Sequence, residues 1–165
     1  MECAKLATMS VPRATLNYMD PNSTQTLREG IAEYYSANPF LLDPEGMSPA
    51  AKALFKQHDA GHVVFGCDTS LRGETLIDTW TILGSTAGIK GYVEYFRHPQ
   101  IYQIFADVGY WHMTVEFIRC LPDVLRVLIR SRRLESRWPW DRYAEYLDNS
   151  LAEIRSRFNI RVVQE

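Results

Sequence analysis

Apolar residues recur at steps of three and four along most of this chain, which is the spacing of one face of an α-helix. The pattern predicts helices in six segments, at residues 24–36, 49–65, 71–83, 99–120, 123–133 and 141–158. No two segments show the regular alternation of apolar and polar residues that paired, half-buried strands need. We therefore predict an all-α fold, a single-domain bundle of about six to seven helices.

Turn and capping residues mark several of the predicted helix boundaries. Ser48 followed by Pro49 is a typical helix start, because serine caps the first free amides and proline fits the first helical position. Pro122 lacks an amide donor and crowds the preceding turn, so we expect it to kink or restart its helix. The aromatic segment 92–96 is too short for its pattern to distinguish a helix from a strand.

Length and composition are those of one globular domain. The chain has 165 residues, of which 46% are hydrophobic and 23% are charged, and this balance allows a substantial core. Pro12 and Pro21 interrupt any helix near the start, so residues 1–22 are predicted to form an irregular N-terminal arm. Residues 23–165 are the predicted helical domain.

Charge and cysteine content exclude some functional classes. The net charge of −2 does not indicate nucleic-acid binding. Cys3, Cys67 and Cys120 are odd in number and widely spaced, which favours a reducing compartment over a disulfide framework. The first twenty residues have only Lys5 and Arg13 as cations, and no apolar run reaches about 18 residues, so neither a targeting peptide nor a membrane span is predicted. We expect a cytoplasmic location.

The chemically most informative segment is His58-Asp59-Ala60-Gly61-His62 in the second predicted helix. The two histidines lie one turn apart, about 40° around the axis and about 6 Å along it, so one metal ion can contact both imidazoles. Asp59 lies about 100° from His58, where it can be a third ligand, a support behind the ligands or a general base. Apolar residues share this side, so the motif is predicted to lie on an interior helix.

Glu74 is the predicted fourth ligand, at the start of the next helix after a short turn. The periodicity of that helix argues against this role, because its apolar stripe is formed by other residues. Glu74 shares a face with Asp78 and Thr81, and solvent ordinarily covers such a face. Glu74 can join the histidines only if this face closes over the metal, and Asp78 then lies close to the ligands.

The ligand types suit a catalytic site with an open coordination position better than a closed structural site. A divalent ion is expected, with zinc as the first choice and iron, manganese and magnesium as alternatives. In zinc peptidases with the motif H-E-x-x-H, glutamate is the base, and the shorter Asp59 in its place argues against a peptidase. We assign no residues to an organic cofactor.

The spacing H-D-x-x-H, eleven residues and then E resembles the metal motif of the Coq-four family of ubiquinone biosynthesis. The matching positions comprise four ligand types and two glycines, His58, Asp59, His62, Glu74, Gly66 and Gly73. The segment 151–160 resembles the family's ending, although Ser150 stands where a proline is often seen. The resemblance implies an all-α fold and a metal held by the four ligand-type residues. We take His58 and Asp59 as the candidate catalytic residues, with Asp59 as a ligand or a general base.

The family resemblance also implies a function in quinone biosynthesis. It implies binding of an isoprenoid lipid, a polyprenylated aromatic ring precursor, and oxidative decarboxylation at ring carbon one. The alternative in the same family is a scaffold that organises other quinone-biosynthesis proteins without turnover, so the sequence leaves the question of an enzyme open. A metal-dependent hydrolase of an unrelated substrate is a further alternative. The short length resembles bacterial members, which need not make ubiquinone.

Four residues are candidates for contact with the substrate or for support behind the ligands, namely Asp78, His112, Arg126 and Arg130. His112 lies on the apolar face of the predicted helix 99–120, where a core histidine is the simpler explanation. Arg126 and Arg130 belong to seven arginines between positions 119 and 142, against three acidic residues, which leaves a local charge of +4. These arginines are expected to face solvent or to meet lipid phosphates at the inner face of a membrane. The same surface is also a candidate homodimer interface.

Overall fold

A computed structural model describes residues 16–41, 48–97 and 110–164. Its α-helices are α1 (Leu27–Ala37), α2 (Pro49–Phe65), α3 (Leu71–Gly84), α4 (Gly88–Phe96), α5 (Tyr110–Ser131) and α6 (Leu151–Phe158). Short 3-10 helices lie at Asn17–Met19, Pro39–Leu41 and Trp140–Tyr146. No β-strand occurs within these three described ranges, and the prediction of an all-α bundle is confirmed.

The helix α2 carries the motif, and its ends lie where the sequence predicts them. Ser48 caps the helix, since its Oγ accepts a hydrogen bond of 3.2 Å from the amide of Ala51, and Pro49 is the first helical residue. Every residue from His58 to Phe65 is buried. This half of α2 lies inside the bundle because α2 packs against α1, α3 and the segment 140–146. The predicted interior position of the motif is confirmed.

The turn between α2 and α3 brings the start of α3 back towards the buried half of α2. Gly66 ends α2 with a φ of +67°, a left-handed conformation that glycine adopts without strain. Ser70 caps α3, because its Oγ accepts a hydrogen bond of 3.1 Å from the amide of Gly73. A Cβ atom at Gly73 would lie 2.0 Å from the backbone oxygen of Asp68, so a larger residue does not fit this turn. Glu74 follows immediately.

Arg155 of α6 ties the end of α2 to the N-terminal segment. Its guanidinium donates hydrogen bonds to four backbone carbonyls, those of Tyr18, Asp20, Val63 and Val64. The residue is 3% exposed, and burial lowers its pKa to about 10. Two of these carbonyls lie in the last turn of α2, where the helix supplies few amides. Arg155 donates to the carbonyl of Val64 and adds a second donor to that of Val63, which also accepts from the amide of Gly66.

The hydrophobic core lies between α2, α3 and both chain ends. Phe65 of α2 stacks on Trp80 of α3, with ring centroids 4.7 Å apart. Tyr18 is fully buried, so the last part of the predicted N-terminal arm packs into this core. Residues 1–15 of that arm lie outside the described ranges. Near the other end, Val162 and Val163 are buried against the same core.

Two predictions about helix continuity are wrong. The predicted helix 141–158 is divided into a 3-10 helix and α6, because Ser150 and Glu153 form a capping box that starts a new helix. Of the two outcomes expected at Pro122, a kink or a restart, the restart is wrong, because α5 continues through this residue. Since α5 packs closely along α3, tertiary packing outweighs the local penalty of the proline.

The segment that the sequence left ambiguous, residues 92–96, is helical and forms the second half of α4. Residues 98–109, which include the first part of the predicted helix 99–120, lie outside the described ranges. Among the helices that are described, none combines the length and the apolar character needed to span a membrane.

Candidate metal centre

The helices α2 and α3 bring together three of the four predicted ligands. His58 and His62 have ring centroids 4.7 Å apart, and their side chains are 7% and 0% exposed. Glu74 approaches from α3, with Oε1 3.4 Å from Nε2 of His62 and Oε2 3.9 Å from Nε2 of His58. One ligand atom from each residue lies within 4.8 Å of the others, so the group could hold a metal ion.

Glu74 reaches the histidines although it lies outside the apolar stripe of α3. Residues of that stripe, such as Ile77 and Trp80, are buried in the core. The helix α3 has α2 on one side and α4 and α5 on the other, so part of its polar face is covered by protein. The Glu74 side chain remains 37% exposed, which leaves the cluster open on this side.

A backbone carbonyl lies next to Nδ1 of His62, on the side of the ring opposite Glu74. Nδ1 of His62 lies 3.2 Å from the carbonyl oxygen of Cys67, which also accepts a hydrogen bond of 3.2 Å from the hydroxyl of Tyr18. A carbonyl oxygen can only accept, so Nδ1 carries the proton and Nε2 presents its lone pair to Glu74. Nε2 of His62 is buried and has no hydrogen-bond partner in the described part of the chain.

The geometry between His62 and Glu74 fits a bound cation. A neutral Nε2 and a carboxylate oxygen are both acceptors, so their lone pairs face each other at 3.4 Å unless a positive charge lies between them. Burial opposes protonation of His62, yet Glu74 and then Asp59 raise its pKa above the usual value. Burial likewise opposes ionisation of Glu74, but His62 and His58 lower its pKa. The cluster therefore favours a positive charge at its centre.

Asp59, the remaining predicted ligand, lies outside this group of three. Its Oδ2 accepts a hydrogen bond of 2.7 Å from the hydroxyl of Tyr35, and its Oδ1 lies 3.5 Å from the hydroxyl of Tyr34. Asp59 contacts His58 through Nδ1, which lies 3.8 Å from Oδ1. The carboxylate therefore faces the two tyrosines of α1 and the back of the His58 ring.

Asp78 and Tyr92 form a polar pair beside Glu74. Asp78 lies one turn beyond Glu74 on α3, and its Oδ2 accepts a hydrogen bond of 3.2 Å from the hydroxyl of Tyr92 on α4. Burial raises the pKa of Asp78 to about 7, and the nearby His58 opposes part of this shift. Asp78 can therefore both donate and accept a proton near neutral pH.

The tyrosines of the site are residues whose role the sequence does not reveal. Tyr34 and Tyr35 follow the apolar pattern of α1, so their pattern predicts only core packing. The available signal is the choice of tyrosine over phenylalanine, because a buried hydroxyl needs a polar partner. Asp59 is that partner for Tyr35.

The other candidates have different surroundings. Arg126 pairs with Asp123, which also accepts a hydrogen bond of 2.7 Å from Nε of Arg72. Arg130 donates to the backbone carbonyls of Arg161 and Val162, so its described hydrogen bonds serve the C-terminal segment. The side chain of His112 lies outside the described part of the structure.

Comparisons with known proteins add no relative to this picture. No protein-family model, curated protein or solved structure matches the chain. The likeness to the Coq-four family therefore depends on the motif residues themselves, and the geometry of the cluster carries the functional argument.

Proposed function

We propose that this protein is a metal-dependent member of the Coq-four family, acting on a polyprenylated aromatic precursor in quinone biosynthesis. The observation that carries the proposal is the convergence of acceptor atoms from His58, His62 and Glu74 in a largely buried cluster. The motif spacing supports the family assignment. Zinc is the proposed ion, because two histidines, a glutamate and an open position are typical of catalytic zinc sites, although Fe²⁺ uses a similar set.

The proposed reaction removes the carboxyl group from ring carbon one of the precursor. A divalent ion in the cluster would supply Lewis-acid stabilisation of the negative charge that develops as carbon dioxide leaves. Without an oxidant, a proton takes the place of the carboxyl group on the ring. In the oxidative form a hydroxyl takes its place, and dioxygen and water would be consumed while hydrogen peroxide is released with the carbon dioxide. Asp78 and Tyr92 lie beside the open side of Glu74, where they can bind and orient a ring oxygen and hold a proton.

The outer side of α5 supports the lipid part of the proposal. Large apolar side chains on it are between 41% and 59% exposed, at Phe117, Ile118, Leu121, Leu125 and Ile129. Arg119 and Arg126, interspersed with them, are exposed as well. Apolar residues edged by arginines are typical of helices that lie in the interface of a membrane with anionic head groups. We propose peripheral association with the inner face of a membrane, where a prenyl chain is available.

The proposal is tested by metal analysis and lipid mass spectrometry of the purified protein. We expect about one zinc ion per chain and a co-purified polyprenylated aromatic lipid, since a catalytic site with three protein ligands holds one ion. His62→Ala should lose the metal and the decarboxylating activity, whereas Gln57→Ala, on the same helix but outside the cluster, should keep both. If the purified protein contains no metal and His62→Ala keeps full activity, the proposal is contradicted.

The exposed side of α5 also favours a second candidate function. In this alternative, the metal stabilises the bundle, and the α5 surface binds other quinone-biosynthesis proteins or a second copy of the chain. Lipid and partner proteins would co-purify, but a polyprenylated ring carboxylate would not be turned over. Measured turnover that disappears in His62→Ala would exclude this alternative.

A further inference from the structure

We propose that Asp59 is a positioning residue for His58 rather than a metal ligand, and that the hydroxyl of Tyr35 holds it in that position. The inference rests on the proposed function, because it concerns the construction of the same metal centre. It gives Asp59 a different task from the one that the motif spacing predicts.

Asp59 faces Tyr35 and the Nδ1 side of the His58 ring. Its Oδ2 accepts a hydrogen bond of 2.7 Å from Tyr35, and its Oδ1 contacts His58 at Nδ1, over 3.8 Å. Nε2 of His58 faces Glu74 instead. Because the two nitrogens lie on opposite sides of the imidazole ring, an ion bound by Nε2 lies on the side of the ring that faces away from this carboxylate.

Both histidines have an acceptor oxygen behind Nδ1. Behind Nδ1 of His62 lies the carbonyl oxygen of Cys67 at 3.2 Å, and the hydroxyl of Tyr18 donates to that oxygen. Behind Nδ1 of His58 lies Asp59, which again receives a tyrosine hydroxyl. An acceptor behind Nδ1 keeps the proton there and leaves the lone pair of Nε2 available to an ion.

The carboxylate of Asp59 lies in a buried environment. Asp59 is 6% exposed, and a buried carboxylate needs donors that satisfy its oxygens. Tyr35 is a lasting donor, because burial and then the negative charge of Asp59 raise its pKa. At 3.8 Å the carboxylate attracts the Nδ1–H group of His58 electrostatically rather than through a hydrogen bond of ordinary length. This attraction favours the tautomer of His58 that carries the proton on Nδ1.

The tautomer of His58 in metal-free protein is the first test. Long-range ¹⁵N–¹H spectra, recorded where both imidazoles are neutral, should show the proton of His58 mainly on Nδ1. Asp59→Asn and Tyr35→Phe should shift the proton towards Nε2. Tyr146→Phe is the control, because Tyr146 packs against Trp138 and should leave the spectrum of His58 unchanged.

Titration with Co²⁺ is the second test. Asp59→Asn should still bind one ion with unchanged visible absorption bands, but about 10- to 100-fold more weakly, the loss typical of residues that support ligands. Tyr35→Phe should show a smaller loss of the same kind. The double variant should bind as Asp59→Asn does, because Tyr35 acts through Asp59.

Two results would overturn the inference. If Asp59→Asn changes the Co²⁺ spectrum and loses the ion as Glu74→Gln does, Asp59 is a ligand. If both the tautomer and the affinity are unchanged, Asp59 does not position His58. Should Asp59→Asn fail to fold, Tyr35→Phe keeps the carboxylate and decides by both measurements. A wild-type protein that binds neither Co²⁺ nor Zn²⁺ refutes the proposed function, whereas the tautomer measurement still decides the role of Asp59.

Discussion

Nε2 of His62 and Oε1 of Glu74 lie 3.4 Å apart across the interface between α2 and α3, and neither atom donates to the other while the imidazole is neutral with its proton on Nδ1, next to Cys67. A cation bound by both atoms would replace the repulsion between two acceptors with an attractive contact that joins α2 to α3. Metal binding and the stability of this interface are therefore coupled.

Glu74→Gln tests whether the carboxylate is a ligand. We expect the affinity for Zn²⁺ to fall by more than about 100-fold, beyond the range of supporting residues, because a neutral amide oxygen is a poor zinc ligand. Competition with a chromophoric chelator measures the change. The control is Glu145→Gln, an exposed glutamate paired with Arg142, which should bind zinc as the wild type does. If Glu74→Gln and Glu145→Gln bind Zn²⁺ with equal affinity, Glu74 is not a metal ligand.

Removing the metal should lower the thermal stability of the protein. An ion present at about 100 times its dissociation constant stabilises the folded state by about 2.7 kcal/mol, which corresponds to roughly 5–10 °C in the unfolding midpoint of a domain of this size. Scanning calorimetry with and without excess Zn²⁺, after chelation, measures the shift. His62→Ala should show no metal-dependent shift. If excess Zn²⁺ raises the unfolding midpoint of His62→Ala as much as that of the wild type, the stabilising ion binds at another site.

Asp78→Asn should change how the stability of metal-free protein depends on pH. The folded state holds the proton of Asp78 with a pKa of about 7, against an ordinary value of 3.8. Because the unfolded chain releases this proton more easily, the free energy of unfolding should fall as the pH rises from about 4 to about 7. Asp78→Asn lacks this titrating group, so its free energy of unfolding should not show that decline. At pH 8 the variant should be more stable than the wild type by an amount on the order of a few kcal/mol.

Urea titrations at several pH values measure this effect. The control is Asp148→Asn, whose side chain is 86% exposed and paired with Arg28, and which should follow the wild-type curve. Parallel curves for wild type and Asp78→Asn would show that the carboxyl group of Asp78 does not titrate in this range.

Arg155→Leu should destabilise the protein through the end of α2. The substitution removes the charged donor of four carbonyls, of which those of Asp20 and Val63 also accept backbone amides. Each buried acceptor that is left unpaired costs about 1–3 kcal/mol. We expect a loss of at least about 3 kcal/mol, measured by urea denaturation. Arg155→Lys keeps the charge but has fewer donors, so its stability should lie between those of the wild type and Arg155→Leu. Arg157→Leu, in the same helix but exposed, is the control, and a similar loss there would contradict the prediction.

Charged substitutions on α5 should abolish membrane binding. Leu125 and Ile129 are 55% and 51% exposed, so Leu125→Glu with Ile129→Glu should leave the fold intact while removing apolar contact with lipid. We expect wild-type protein to float with vesicles that contain anionic lipid and to bind neutral vesicles less, because the arginines contribute. The double variant should remain unbound. Ala144→Glu, at an exposed position of the 3-10 helix, should bind as the wild type does.

Local features of the sequence predict α2 and its motif correctly. Capping by Ser48 and the conformational freedom of Gly66 act between neighbouring residues, so they define the ends of the helix without reference to the rest of the fold. The same reasoning is wrong at Pro122, where packing along α3 maintains α5. It is also wrong for the segment 141–158, where a capping box competes with the apolar pattern.

The sequence by itself determined that the chain is helical and that His58 and His62 share one side of a buried helix, because helical geometry relates residues of one helix directly. Only the tertiary structure decided which carboxylate meets them. Glu74 arrives from outside its own apolar stripe because the turn after α2 and the packing of α3 carry it there. Asp59, the immediate neighbour of His58, turns towards the tyrosines of α1. The angle around one helix follows from spacing, whereas the partner of a polar side chain depends on how the helices pack.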